Sequence, residues 1–318
     1  MPAMLACLVA LALVSMTAGR VWAPWSAWWD QSDPRWAIVF ELRLPRTLLA
    51  ILVGAALGLS GAAMQGYTRN PLADPGVLGV SSMAALGAVL TLYFGLTVSA
   101  PWLLPAAAVA GAVVGVFLLL ALSGAAASLI TFVLAGVILQ SIAGAAVALA
   151  LSLAPNPWAT QEILDWLMGA LTDRSMEEVR IAAPLIALGA VLIFATRRAL
   201  DALSLGEESA VSLGVDVTRT QRLLALGVGL ATGASVAVTG VIGFVGLIVP
   251  HLLRPLTGGE PGRLLLPSAV GGALLVLAAD IAVRLTPSAA EVKLGVALSA
   301  LGGPFFLMML MGLRRRVA

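Results

Sequence analysis

Residues 102–123 read WLLPAAAVAGAVVGVFLLLALS, and they lie in the middle of a run of 87 residues, 75–161, that contains no charged side chain. A helix that crosses the hydrocarbon core of a bilayer needs roughly 20 mostly apolar residues. The run is therefore long enough for several crossings. Turn signals at 94–101 and at 123–124 divide it into three helices. This stretch predicts an all-α integral membrane protein.

The rest of the chain has a similar composition. Of its 318 residues, 60% are hydrophobic and 11% are charged, and the mean hydropathy is +1.03. An ordinary soluble domain does not have this composition. With the three helices above, the remaining apolar stretches predict about ten transmembrane helices in a single domain, 1–318. These stretches are 1–19, 47–68, 181–196, 223–253 (two helices that meet near Gly240), 264–283 and 294–313.

The first apolar stretch, 1–19, allows two interpretations. Its length suits the apolar region of a cleaved signal peptide as well as a helix that stays in the protein. No Lys or Arg precedes it, and Thr17-Ala18-Gly19 is a weak cleavage site, so we favour a retained first helix. Cys7, the only cysteine of the chain, lies in this stretch, which excludes an intramolecular disulfide.

Loop charge indicates how the helices are oriented. Cytoplasmic loops of membrane proteins carry an excess of Lys and Arg. With ten helices and both termini inside the cell, the outer segments hold seven arginines and Lys293, and an acidic loop, 162–178, also lies outside. The inner segments hold ten arginines: Arg69, Arg197, Arg198, Arg219, Arg222, Arg254, Arg263, Arg314, Arg315 and Arg316. The last three follow the final helix directly and support this orientation.

Several kinds of chemistry are absent from the sequence. Lys293 is the only lysine, and no glycine-rich phosphate loop precedes it, so we expect no ATP hydrolysis by this chain. The only histidine, His251, has no Cys or second His at a metal-ligand spacing. The sequence therefore predicts no catalytic residue, no metal site and no cofactor. It also gives no indication of a nucleic-acid partner; the bilayer is the expected surroundings.

Asp280 is the only ionisable residue in the middle of a predicted helix. Charge within the membrane is costly and is usually kept for a function, so Asp280, with Glu291, could carry protons in a secondary transporter. Arg284 follows four residues later on the same helix face, which favours a local ion pair instead. Both interpretations stay open at this point.

Two segments between helices have distinctive sequences. Residues 66–76, GYTRNPLADPG, contain two prolines and a turn asparagine, which predicts a rigid turn between two apolar helices. Residues 205–214, LGEESAVSLG, place Leu205, Ser209 and Leu213 at helical spacing between glycines. The second segment predicts short helices outside the membrane, within a cytoplasmic region of about 201–220, that could bind a partner protein.

Five motifs resemble the FecCD-type permease family, and they occur in the family's order between about 39 and 313. They are Arg43-Leu44-Pro45-Arg46, the run 60–76 that contains Asn70-Pro71-Leu72, Trp166-Leu167-Met168-Gly169, Leu205-Gly206-Glu207, and 243–251, which reads GFVGLIVPH. Members of this family are the membrane subunits of bacterial type II ABC importers for iron siderophores, haem and cobalamin.

The resemblance implies a function and a set of partners. The chain is expected to be an inner-membrane permease that works as a homodimer, with two ATP-binding cassette subunits on the inside and a periplasmic substrate-binding protein on the outside. A proton-coupled secondary transporter is the alternative from another class. An apolar path with few polar anchors carries no signal for one particular chelate.

The resemblance also implies roles for particular residues, taken from the matching positions of the family. Arg43, Arg46 and Arg284 are expected to dock glutamates of the binding protein. Asn70 and Leu72 are expected to narrow the cytoplasmic exit as an inner gate. The expected contacts with the ATPase lie on the segment already singled out: Leu205, Gly206, Glu207, Ser209, Ala210, Leu213 and Gly214.

Overall fold

The computed structural model of the chain describes residues 1–19, 21–124, 128–287 and 291–317. Arg20 and the side chains of the basic tail, 314–316, on which part of the orientation argument rests, lie outside the described residues.

The described residues form α-helices and short helical turns, without a strand. The fold class predicted from the sequence is therefore confirmed as all-α. The α-helices are α1 (Pro2–Thr17), α2 (Pro34–Ala37), α3 (Leu44–Thr68), α4 (Val80–Tyr93), α5 (Leu103–Ser123), α6 (Leu129–Ser152), α7 (Pro157–Leu167), α8 (Met176–Ala195), α9 (Arg197–Leu203), α10 (Glu207–Ser212), α11 (Val217–Thr239), α12 (Val245–Leu253), α13 (Pro261–Leu285) and α14 (Leu294–Val317).

Six helical segments of the described chain are long and apolar enough to cross a membrane. These segments contain α3, α5, α6, α8, α11 and α13, and the segment that contains α3 begins at Pro34. Four shorter apolar segments, Pro2–Thr17, Val80–Tyr93, Val245–Thr257 and Leu294–Met309, lie at the other positions where the sequence predicts a transmembrane helix. The structure thus supports a multi-spanning protein, and the number ten stays a prediction.

Turn residues end the helices where the sequence predicts. α5 ends at Ser123, and Gly124 follows with a φ of 75°. α11 ends at Thr239, and Gly240 follows with a φ of 72°. Such positive φ angles are readily adopted by glycine, which has no Cβ to clash with the backbone. The boundaries near 94, 124 and 240 are confirmed because each depends on local turn chemistry.

Two helix features differ from the sequence prediction. α8 begins at Met176 rather than near 181, because Ser175 and Glu178 form a capping box that satisfies the first amide groups. α7 was not predicted; Asn156 begins it by accepting a hydrogen bond of 2.9 Å from the amide of Ala159. In both cases a polar residue that resembles part of a loop in the sequence caps the start of a helix.

α3 and α11 form the centre of the bundle. In the most apolar stretch of each of these helices, 78% of the residues are buried. The corresponding share is 28% in α5, α6 and α8, which form the periphery of the bundle. α3 packs against α13, α12, α11 and α8. A Cβ on Gly54 would lie 2.3 Å from the backbone oxygen of Gly272, and one on Gly61 would lie 2.0 Å from that of Gly246. Glycine at these positions therefore lets α13 and α12 approach the backbone of α3 closely.

Candidate functional site

A cluster of charged side chains joins the start of α3 to the end of α13. Arg46 donates a hydrogen bond of 2.9 Å from Nε to Oδ1 of Asp280, and its guanidinium also pairs with Glu291. Arg284 lies 3.0 Å from Oδ2 of the same Asp280 carboxylate. Asp280 is fully buried, so its charge is compensated by two arginines rather than by water. The ion pair predicted between Asp280 and Arg284 is confirmed.

The end of α1 completes this outer charge cluster, which we define as Arg43, Arg46, Asp280, Arg284 and Glu291. Arg284 donates from Nη1 to the backbone oxygen of Ser15 at 2.9 Å. Arg43 donates from Nη1 to the backbone oxygen of Thr17 at 2.7 Å. The last carbonyl groups of a helix have no partner within the helix, and arginines commonly satisfy them. The two guanidinium groups therefore hold α1 against α3 and α13.

The structure brings the three arginines predicted for docking close together, but it gives them partners within the chain. Arg43 and Arg284 are each only 7% exposed. Arg46 is 12% exposed at its side chain, and its partner Glu291 is 24% exposed. The most accessible part of the cluster is thus the contact between Arg46 and Glu291. The sequence did not associate Glu291 with Arg46, because 245 residues separate them.

The predicted inner-gate loop lies at the opposite end of α3. Arg69 ends that helix with a φ of 51°, a left-handed conformation that is uncommon for residues other than glycine. Oδ1 of Asn70 accepts a hydrogen bond of 2.9 Å from the amide of Leu72, and Oδ1 of Asp74 accepts one of 2.8 Å from Gly76. These two local turns give the loop a defined shape without regular secondary structure.

The side chain of Leu72 belongs to an apolar cluster between α12 and α14. The buried side chains of that cluster are Leu247, Ile248 and Met309, and Leu72 packs against it, as do Phe244, Phe305 and Phe306. Phe244 has a φ of 68°, which for a bulky residue is a strained conformation. Leu72 therefore lies against large apolar groups, whereas Asn70 is exposed.

A buried polar contact that was not predicted lies beside the gate loop. Gln65, which is 1% exposed, accepts a hydrogen bond of 2.9 Å from Nη2 of Arg254 and donates to the backbone oxygens of Gly246 and Leu247. This glutamine, near the end of α3, links that helix to the start of α12 and to Arg254, which follows it. A glutamine within an apolar helical run is a signal of a buried polar contact. The sequence does not identify its partner, Arg254, which lies 189 residues away.

The segment predicted to couple to an ATPase, 201–220, contains the short helix α10 and the last residues of α9, and α11 begins within it at Val217. Leu205 and Leu213 are 67% and 66% exposed, whereas Ala210 is fully buried. Ala210 therefore packs against the rest of the bundle, and the two leucines are exposed on the surface of the segment. The residues Gly206, Glu207, Ser209 and Gly214 lie between or beside these leucines.

The coupling segment is attached firmly to the bundle. Leu200 and Leu203 of α9 are buried in the main apolar core. Oδ1 of Asp201 accepts a hydrogen bond of 2.7 Å from the amide of Gly262, at the start of α13. These contacts fix α9 against the start of α13.

Comparison with known proteins decides the family. The sequence profile of the FecCD transport family matches residues 7–312. This chain belongs to that family. It is 39% identical to the hemin transport system permease protein HmuU of Yersinia pestis, over 97% of this chain and 94% of that protein. It is 40% identical to the vitamin B12 import system permease protein BtuC of Vibrio cholerae, over 95% of this chain and 90% of that one.

A solved structure extends the comparison to the fold. It belongs to an ABC transporter of metal-chelate type in an inward-facing conformation, is 31% identical, covers 98% of both chains and has a TM-score of 0.88. The family, its named relatives and this structure support an ABC importer permease and not the proton-coupled alternative. The FecCD-family chain described here is a multi-pass inner-membrane permease.

Proposed function

We propose that two copies of the chain form the translocation path for a metal chelate such as haem, cobalamin or an iron siderophore. In this proposal a periplasmic binding protein delivers the chelate, and two separate ATP-binding cassette subunits supply the energy. The four shorter apolar helices complete ten crossings. The observation that carries the proposal is the coupling segment, where two exposed leucines flank the short helix α10 and neighbouring residues of α9 and α10 are buried in the bundle. The named relatives, for hemin and vitamin B12, support the chelate class.

The energy source has a direct test. Vesicles that contain this chain, the ATPase subunit of its operon and the cognate binding protein are expected to take up chelate only with ATP. The chain alone is expected to hydrolyse no ATP, because it has no phosphate loop. Uptake by vesicles that hold only this chain, driven by a proton gradient without ATP, would instead establish the secondary transporter.

We place binding-protein docking at the outer charge cluster, with Arg43 and Arg284 fixing its geometry. Because Arg46 already pairs with Glu291, a carboxylate of the binding protein would compete with Glu291 for the same guanidinium. Arg46→Gln is then expected to weaken association by up to about fivefold, as for an exposed ion pair, and Glu291→Gln to strengthen it by a similar factor.

Association would be measured with purified binding protein at two salt concentrations. Arg35→Gln is the matched control, since Arg35 is an exposed outer arginine paired with Asp33. If Arg46→Gln and Arg35→Gln have the same affinity as the wild type, the cluster serves only to hold α1, α3 and α13 together.

We place the inner gate at Asn70 and Leu72 of the two copies. Leu72→Cys, in a chain where Cys7→Ser removes the only native cysteine, is expected to crosslink between copies when the exit is closed. The yield is expected to change at least about twofold on nucleotide binding, since only state-dependent contacts can respond to it. Leu96→Cys is the control, because Leu96 lies in the outer loop between α4 and α5. A crosslinking yield of Leu72→Cys that is the same with and without nucleotide would show that this loop is a fixed turn and not a gate.

A further inference from the structure

A narrow apolar groove runs along the periphery of the bundle, between α5, α8 and α11. It encloses about 220 Å³, and apolar side chains such as Val113, Val116 and Phe117 of α5, Leu185 of α8, and Leu226 and Leu230 of α11 line it. Phe117 is 70% exposed and Val113 is 54% exposed, so the groove opens sideways, away from the core of the bundle.

A polar cavity of about 390 Å³ continues the groove at one end. The two share Phe117 and Leu120, and the second cavity adds Ser123, Gln221 and Arg222. No carboxylate is among its described lining residues. Gln221 is 3% exposed, and the nitrogen of its side-chain amide has no hydrogen-bond partner within the described ranges. One end of this combined site is thus apolar, and the other end is basic and rich in hydrogen-bonding groups.

The position and length of the site fit one leaflet of a bilayer. Val109 and Leu120, both on α5, mark the two ends of the apolar groove. At 1.5 Å per residue they are about 16 Å apart, which is half of the roughly 30 Å hydrocarbon core. The polar cavity lies at the start of α11, directly after the coupling segment, and therefore on the cytoplasmic side. The cytoplasmic leaflet is the one that carries anionic lipid.

We propose that this site binds one anionic phospholipid of the cytoplasmic leaflet. One acyl chain fills the groove between α5, α8 and α11. The phosphate lies in the polar cavity, where Arg222 supplies the positive charge and Gln221 a hydrogen-bond donor. Close approach of the helices closes the floor of the groove, because a Cβ on Gly229 would lie 2.2 Å from Cγ2 of Val116. A purely apolar face would bind every lipid equally, whereas this site selects for head-group charge.

The test uses the full chain, purified in detergent and stripped of lipid, with native mass spectrometry as the readout. The probes are phosphatidylglycerol and phosphatidylcholine with the same acyl chains, and inorganic phosphate. The wild type is expected to bind phosphatidylglycerol at least about fivefold more tightly than phosphatidylcholine, the size of effect that one arginine at a membrane surface gives. Arg222→Gln is expected to remove that preference, and Val113→Trp is expected to weaken the binding of both lipids.

Arg219→Gln is the matched control, because Arg219 is also an exposed arginine of α11 but lines neither cavity. It is expected to keep the wild-type preference. Equal loss in Arg219→Gln and Arg222→Gln would reduce the effect to general surface charge and overturn the site. If millimolar inorganic phosphate displaces phosphatidylglycerol, the cavity binds anions in general and the lipid proposal is overturned. A change in the number of copies per particle in Val113→Trp, with lipid binding intact, would assign the groove to a second copy of the chain.

Discussion

Replacing Leu205 and Leu213 together with Asp is expected to abolish ATP-driven transport while the permease still folds. Both side chains are about two-thirds exposed, so the substitutions remove little internal packing. If the ATPase buries them in a groove, each contributes roughly 1.5 to 3 kcal/mol to the complex. Loss of both corresponds to a decrease in affinity of at least about a hundredfold. Copurification of the ATPase subunit measures the loss of binding, and uptake in vesicles measures the loss of transport.

Leu96 and Val98 provide the matched control for this experiment. They are exposed apolar residues of an outer loop, and their replacement with Asp makes the same chemical change on the opposite face. This control is expected to retain the ATPase subunit. The coupling variant should in turn still associate with the binding protein. A Leu205/Leu213 double variant that assembles and transports at the wild-type rate would remove the segment from the mechanism.

The second large effect is expected at Asp280. Asp280→Ala leaves Arg284 without its carboxylate partner and Arg46 with Glu291 alone, inside a nearly dry cluster. Removing one partner of a buried ion pair typically destabilises a protein by about 3 to 5 kcal/mol. The unfolding midpoint in detergent should therefore fall well below that of the wild type.

Asp33→Ala is the control for this prediction, because it breaks the ion pair to Arg35, whose side chain is 44% exposed. An exposed pair contributes about 0 to 1 kcal/mol. Asp33 also caps α2 by accepting a hydrogen bond from the amide of Arg35, and loss of such a cap costs about 1 kcal/mol, so a smaller shift than for Asp280→Ala is expected. Equal midpoints for Asp280→Ala and Asp33→Ala would show that the buried carboxylate does not stabilise the fold.

Local signals explain what the sequence predicts well. Helix ends at Ser123 and Thr239 follow from the glycines that succeed them, and the membrane class follows from apolar runs of sufficient length. The short helix α10 follows from the pattern of residues 205–214, whose side chains at helical spacing lie between Gly206 and Gly214. Each of these depends on residues within one or two turns of each other, so that no knowledge of the tertiary structure is needed.

Contacts across the chain explain what the sequence does not predict. Arg46 meets Glu291 and Gln65 meets Arg254 only because α3 packs between α12 and α13. The family resemblance gave three arginines a docking role, but the burial of Arg43 and Arg284 depends on the carbonyl groups at the end of α1. An isolated motif does not show which surface its side chains will face.

One unbroken helix, α3, extends from the outer charge cluster to the gate loop. Arg46 and Thr68, both in α3, are 22 positions apart, which is about 33 Å along the helix axis. Such a rod acts as a lever whose two ends cannot move independently. Rotation of α3 by about 10° around its outer end would displace the inner end by about 6 Å, since arc length is the product of angle and radius. The position of the loop that follows α3 is therefore geometrically linked to the tilt of that helix at its other end.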